Sequence, residues 1–435
     1  MISRRLSVFR EPAFLSLIDL FRGADVGIAN LETLLHEYEH TPGVAGGTYT
    51  GCDPSIAEDL KWARISMVGL ANNHSDDYGE AGLLATLRHL RAAGLCCAGA
   101  GRNRSEARAP SYLDSARGRV ALIAVSSTVT PHAMAQDQRP DAIGRPGING
   151  MRHTVTHTVD RAAFEELRRI HRKLGFAAAE ERLRSFRPGG PTDFPGEDRL
   201  SFSDRLFVPG EKFGTCLTAN PDDVRDNLKW VREARQMADW VFVGFHCHES
   251  GETADDPPDF LVEFARACVD EGADGFFGHG PHVTRGIEIY KGKPIFYSLG
   301  NFVFQSETVR WQPSVNYEAL GLNHTATPSD FYDARTGNGA RGFPADPVYW
   351  ESIVARCQYR GGKLRGLTLH PIDLGYGRPR YRRGRPVLAR PPVADSALSR
   401  VRDLSRRFGV EVVISGGVGA IAVQPPAACA SRESP

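Results

Sequence analysis

The chain has 435 residues, 41% hydrophobic and 24% charged, with a formal net charge of +1. That balance is ordinary for a soluble globular protein with a large core, in one large α/β domain with additions or in two to three domains. It gives no footing for general nucleic-acid or acidic-surface binding.

No apolar run approaches the roughly 18 residues of a membrane helix. Leu6 to Leu20 is interrupted by Arg10, Glu11 and Pro12, so it does not read as a signal peptide. The eight cysteines lack zinc-like spacing. They read as free thiols in a reducing compartment, so a cytoplasmic location is expected.

Pro12 to Phe21 reads as a helix, with Pro in the first turn and apolar residues at helical spacing. Asp25 to Ala29 is a short strand that ends on Asn30-Leu31-Glu32. After a Gly/Thr/His-rich loop, Pro54 to Trp62 is helical with Asp53 as its cap. Ile65 to Leu70 is a buried strand ending on Ala71-Asn72-Asn73-His74. Gly79 to Ala93 is a helix stopped by Gly94, and Leu95 to Ala98 and Arg119 to Ser126 are strands.

Residues of about 130–235 break this alternation. They read as an insertion that holds a basic amphipathic helix over Arg161 to Phe186 and a polar loop over Arg187 to Arg199. The rhythm resumes with a helix over Asp222 to Met237. A strand over Trp240 to Phe245 then ends on His246-Cys247-His248-Glu249. A helix over Pro258 to Glu271 and a strand over Gly275 to Phe277 lead into His279. An amphipathic strand, a Lys-Gly-Lys-Pro turn and an apolar strand over Ile295 to Leu299 close on Gly300-Asn301-Phe302. Strands alternating with helices argue for sheets covered by helices.

Beyond Gln305 the text is loop-rich to Gly342. A hairpin over Ser352 to Leu369, a helix over Asp395 to Phe408 and a strand over Val410 to Ile414 follow. Arg378 to Arg385 reads as a solvated loop rather than a nucleic-acid patch. Residues 424–435 read as a disordered tail.

Four strand ends therefore carry polar groups: Asn30/Glu32, Asn73/His74, His246/His248/Glu249 and His279/His282. In α/β sheets functional groups gather at those ends. Taken singly, each reads more often as a turn or capping residue than as a functional group. Together they form a mixed carboxylate, amide and imidazole set that suits Mn, Fe, Zn or a similar divalent ion. Two ions roughly 4 Å apart would clamp a phosphoryl or carbonyl oxygen and generate hydroxide at neutral pH.

Asn30-Leu31-Glu32, Asn72 to Gly79 (NNHSDDYG), Gly99-Ala-Gly101, Gly278-His-Gly-Pro-His282, Gly286-Ile-Glu288 and Tyr297 to Phe302 resemble the CapA family of poly-γ-glutamate capsule synthesis proteins. That family is related to the calcineurin-like metallophosphoesterases. The resemblance covers about residues 1–305. It implies an α/β fold, a four-layer α/β/β/α metallophosphatase-like sandwich, here with the insertion and a C-terminal α+β extension over 306–435.

The resemblance also implies roles. Glu32, Asn73, His246, His279 and His282 match metal ligands. His74 matches a catalytic histidine that assists the leaving oxygen. Asp77 could orient His74 or be an exposed turn carboxylate. Asn30 and Asn301 are candidate substrate or supporting groups, and Asn301 reads equally well as a cap. His248 and Glu249 depart from the family's usual His-Trp-Gly; they could be ligands, substrate contacts or a solvated turn. Arg145, Arg152 and Arg285 could meet an anionic substrate, with solvated surface the alternative.

The family's leading Gly-Asp strand is missing, so a start at an internal Met is expected, with its Asp ligand upstream; the alternative is a degenerate site that keeps one ion. A chain lacking that strand is expected to be poorly soluble and to bind metal weakly. The implied function is metal-dependent hydrolysis of a phosphoester or γ-glutamyl/amide bond in a small or polymeric anionic substrate. The alternative is an accessory role in making or exporting an anionic capsule polymer, alongside capsule-synthesis partners.

Overall fold

The computed structural model describes residues 1–44, 47–186, 198–203 and 205–423. The predicted tail, and the loop from 187 to 197, lie outside the described residues. The fold is mixed α/β. Its centre is a six-stranded sheet in the order Ile287–Tyr290, Lys293–Phe296, Gly275–His279, Trp240–His246, Gly118–Ser126, Ser111–Ser115. The four inner strands run parallel, and the two edge strands are antiparallel to their neighbours. A second, parallel sheet has the order Gly27–Asn30, Ile65–Gly69, Cys96–Ala98.

Successive side chains of a strand point to opposite faces, so one strand can feed two cores. Along Gly118–Ser126, Val120, Leu122 and Ala124 join a core with Met67 and Val68 of the smaller sheet and with Leu70 just beyond its middle strand. Ala121, Ile123 and Val125 face the other way, into a core with Phe260, Leu261 and Phe264. Those phenylalanines belong to the helix Asp259–Asp270, which covers that face beside the helix Pro221–Met237. Burial on both faces explains why these strands read as continuous apolar runs.

The longer of the two helices is started by Asn220, whose side chain accepts from the amides of Asp222 and Asp223. Losing such a cap costs about 1 kcal/mol. The first helix, Pro12–Arg22, buries Phe14, Leu17 and Ile18 on one stripe. The helix after Asp53 is shorter than the sequence implies. It runs Ile56–Trp62 with Ser55 at the N-cap position, while the Asp53 carboxylate accepts from the Ser55 amide one turn earlier.

Three further regions differ from the sequence reading. The predicted single helix over Arg161 to Phe186 is two helices, Arg161–Lys173 and Phe176–Phe186. They break at Gly175, whose φ of +82° ends the first. The insertion also holds a four-stranded sheet, ordered Leu200–Phe202, Arg205–Pro209, His153–Val159, Gly214–Ala219. Its strands are mostly half-exposed, so they carry threonine and histidine where a buried strand would carry an apolar run.

The arginine segment is the third. Arg380 and Arg383 both pair with the buried Glu307, and Arg385 pairs with Glu11 at 2.7 Å. These arginines therefore tie the C-terminal chain to the body and are not a solvated loop. The remaining C-terminal strands, Glu351–Arg360, Lys363–Asp373, Val387–Leu388, Val412–Ser415 and Val418–Ile421, form one sheet under the helix Val393–Ser405. Their core is continuous with Ile287 and Phe296 of the central sheet.

Candidate metal centre

Register alone brings two of the histidines together. Trp240–His246 pairs in parallel with Gly275–His279 so that His246 stands opposite His279, and His246 also stands opposite Ser126. The two imidazoles meet with Nδ1 2.9 Å from Nδ1. Ring nitrogens that close share one proton or one cation, because two N–H groups would repel. The loop after His279 lies hard against the neighbouring strand end: a Cβ on Gly280 would meet the Cys247 carbonyl oxygen at 2.7 Å.

The smaller sheet delivers the carboxylate. Leu31 continues the strand by donating to the Gly69 carbonyl, and Glu32 then turns inward, 6% exposed. Its Oε1 lies 3.9 Å from His74 Nε2 and 3.8 Å from His282 Nε2. Asn30 Nδ2 donates weakly to the other oxygen at 3.5 Å, and Asn72 Nδ2 donates to Asn30 Oδ1 at 3.3 Å. Asn30 therefore steadies the carboxylate. Burial pushes Glu32 up, but His282, His246, His74 and the Met1 ammonium outweigh it and hold the carboxyl well below its usual range.

The histidines divide by their partners. His74 Nδ1 donates to Asp77 Oδ2 at 2.8 Å, and that oxygen also accepts from the Thr50 amide (2.6 Å) and hydroxyl (3.0 Å). Asp77 is thus buried behind the ring and is not an exposed turn residue. Burial alone would lower His74; Asp77 and Glu32 raise it above the ordinary imidazole value.

His282 sits at φ +62°, rare for a residue with a side chain. Asn301 holds it there. Its Nδ2 donates to the carbonyls of His282 and Tyr349, which fixes its Oδ1 toward His282 Nδ1 at 2.8 Å. With Nδ1 donating, Nε2 presents its lone pair on the side of Glu32. Asn301 is therefore an orienting group in this geometry.

His248 and Glu249 separate. Glu32, His246 and His248 each bring one ligand atom into a set lying within 4.8 Å of one another. Glu249 instead accepts from Ser127 Oγ (2.6 Å), Thr128 Oγ1 (3.1 Å) and Cys247 Sγ (3.2 Å). It braces the loop that carries His248, whose own amide donates to Thr128 Oγ1 at 2.8 Å. The serine and threonine went unnoticed in the sequence, although they follow Gly118–Ser126 as the other polar groups follow their strands. His153, from the insertion, lies 4.0 Å from Glu249 and stacks on Phe260. Nothing in its local sequence marks it out.

The donor set fits a divalent ion. Glu32 Oε1, His246 Nε2, His248 Nε2, His279 Nε2 and Asn73 Oδ1 are all buried without a hydrogen-bond partner among the described residues. Such groups are costly to bury unless something binds them. Burial pushes His248 down to about 4 and His279 to about 3, and drives His246 well below its ordinary value. These rings are therefore neutral, as ligands must be. Of the three arginines, Arg145 donates to the Pro131 and Met134 carbonyls and Arg152 pairs with Asp223 at 2.7 Å, so both serve structure. Arg285 is buried, so it is not solvated surface.

The molecule is thus an α/β protein whose two sheets meet at a buried carboxylate–imidazole cluster. It belongs to the bacterial capsule synthesis protein family: the model described as Bacterial capsule synthesis protein PGA_cap matches residues 8–306. The CapA resemblance read from the motifs is the same family.

Two proteins of Sinorhizobium fredii (strain NBRC 101917 / NGR234), named Uncharacterized protein y4sH and Uncharacterized protein y4uA, are each 36% identical over 97% of this chain and 91% of their own. The PGA biosynthesis protein CapA of Bacillus subtilis (strain 168) is 38% identical over 33% of this chain and 36% of its own. The Capsule biosynthesis protein CapA of Bacillus anthracis is 25% identical over 59% and 44%. No helix among the described residues is long and apolar enough to cross a membrane. The seven described cysteines are all free.

Proposed function

We propose that this chain is a metal-dependent hydrolase of the capsule-synthesis family, acting on a phosphoester or a γ-glutamyl/amide bond. The carrying observation is the set of buried ligand atoms without partners around Glu32. Glu32, His246 and His248 would hold one divalent ion, and Asn73, His279 and His282 would be the candidates for a second. When bound, the ion would polarise the scissile group and acidify water.

The chain's own groups then have distinct tasks. Asp77 orients the His74 ring and favours its protonated form, which suits His74 to donate a proton to a leaving oxygen or nitrogen. Asn301 fixes the tautomer of His282. Glu249 keeps His248 in place through Thr128. Two sheets packed through Val120, Leu122 and Ala124, with helices beyond the larger one, support the four-layer sandwich of the metallophosphoesterases. We take residues 1–305 as the family unit and 306–435 as an extension that caps it.

The test is turnover of p-nitrophenyl phosphate, bis-p-nitrophenyl phosphate and a γ-glutamyl anilide by protein loaded with Mn²⁺ or Zn²⁺. His74→Ala should retain metal and lose about 10²–10⁴ in rate. Loss of metal together with activity, or full activity, would remove His74 from the proposed role. An accessory role in polymer synthesis is the second reading. It is favoured by one observation: a Mycobacterium tuberculosis relative, 34% identical over 29% of this chain, is named a probable polyglutamine synthesis accessory protein. Metal binding without turnover on any of the three substrate classes would favour it.

A further inference from the structure

The family match ends at residue 306, and every candidate ligand lies before that point. Yet a short piece of the C-terminal extension, 343–352, reaches back to His282 and to the asparagine that orients it. The piece consists of two 3₁₀ turns, Phe343–Ala345 and Pro347–Trp350, and the start of the strand Glu351–Arg360.

The first contact is a ring. Phe343 meets the His282 imidazole in a T-shaped arrangement, centroids 5.0 Å apart and planes at 73°. Phe304 touches the same imidazole at 5.1 Å and touches Phe343 at 4.9 Å. The second contact is the Tyr349 carbonyl, which accepts from Asn301 Nδ2 at 3.1 Å. The third is the buried Ser352 hydroxyl, which donates to the Asn301 carbonyl. The chains lie so close here that a Cβ on Gly300 would meet Ser352 Cβ at 2.7 Å. Asn301 bonds both Nδ1 and the carbonyl of His282. It is therefore itself held, at its side chain and at its backbone, by the extension.

The piece that does this is anchored. The Phe343 carbonyl accepts from Trp350 Nε1 at 2.7 Å, and Trp350 is buried in a core with Phe304 and Leu374. The Tyr349 ring packs on Phe343 at 4.9 Å. His282 needs such support, because a residue with a Cβ keeps a left-handed backbone only where its surroundings hold it there.

We propose that Phe343 and Ser352 are positioning residues of the metal centre. Phe343 seats the His282 ring, and Ser352 fixes the Asn301 that sets its tautomer. The extension is then a working part of the centre: a chain cut at residue 306 would keep every candidate ligand and lose the seating of His282. The inference rests on the reading of the cluster as a metal centre.

The test is NMR of the histidine ring nitrogens in the metal-free full chain, with the His282 signals assigned by their loss in His282→Gln. In the wild-type chain Nδ1 of His282 should carry the proton. In Phe343→Ala and Ser352→Ala the proton should be shared between the two nitrogens, with the His246 and His248 signals unmoved. Calorimetric Mn²⁺ affinity should fall about tenfold in Phe343→Ala and less in Ser352→Ala. Phe343→Leu, which refills most of the space, should return both readouts toward wild type. Leu369→Ala, in the extension's own core, should lower the denaturant midpoint and leave the His282 signals in place. Unchanged His282 signals in both Phe343→Ala and Ser352→Ala overturn the proposal, as does an equal change in Leu369→Ala. If Phe343→Ala does not fold, Ser352→Ala decides alone. Absence of Mn²⁺ binding from every sample would instead defeat the metal-centre reading while the tautomer result stood.

Discussion

Histidines face Glu32 from both sheets, and their protonation is pushed in opposite directions. His246, His248 and His279, from the six-stranded sheet, are driven down by burial, which outweighs the pull of Glu32 and, on His248, that of Glu249. His74, from the smaller sheet, is as deeply placed and is raised. Burial is common to both, so the partner decides. His74 has the Asp77 carboxylate hydrogen-bonded behind it; His246 has only another imidazole. One sheet thus supplies neutral donors of lone pairs, and the other a carboxylate and a proton.

The largest expected effect comes from the group both sets share. Glu32→Gln should lower Mn²⁺ or Zn²⁺ affinity by about 100-fold or more in a calorimetric titration. Unchanged affinity would mean that the histidines bind without it.

Next, Asp77→Asn should convert His74 into a histidine of the other kind. In an NMR titration of the metal-free chain its pKa should fall, since burial would then act with less opposition. Turnover should drop about 100-fold. The sign carries to stability. A raised folded pKa stabilises the protein below the unfolded value, and that contribution is lost as pH rises through the raised folded value. Wild type should lose this increment above the ordinary imidazole range, and Asp77→Asn should lack it throughout. A pKa for His74 that does not move would show that Asp77 is not what distinguishes it.

Smaller effects follow from the groups behind the ligands. Asn301→Ala frees His282 and should weaken metal affinity about tenfold, without changing the His74 titration. Thr128→Val removes the hydroxyl that joins Glu249 to the His248 amide. It should cost about 1 kcal/mol in denaturant stability and shift metal affinity only slightly. A large loss of metal there would place Glu249 in the cluster itself.

The strands that carry this comparison were readable in the sequence because they are buried on both faces. Ile65–Gly69, Gly118–Ser126 and Trp240–His246 are apolar runs, and each polar group that follows them is conspicuous. What the sequence did not show is direction. Nothing in His246-Cys247-His248-Glu249 says that His248 turns toward Glu32 while Glu249 turns away. That is decided by Ser127 and Thr128, about 120 positions earlier in the chain. The sheet in the insertion escaped for a related reason: its strands pair across long intervals and are half-exposed, so neither periodicity nor an apolar run marks them. The arginines over Glu307 looked solvated because their partner lies more than seventy residues away.

The most direct measurement is anomalous diffraction from crystals of the chain grown with Mn²⁺. A peak bonded to Glu32, His246 and His248, with the His246–His279 contact rearranged around it, is the expected result. Ordered density for all three side chains with no peak among them would contradict a metal centre at this site.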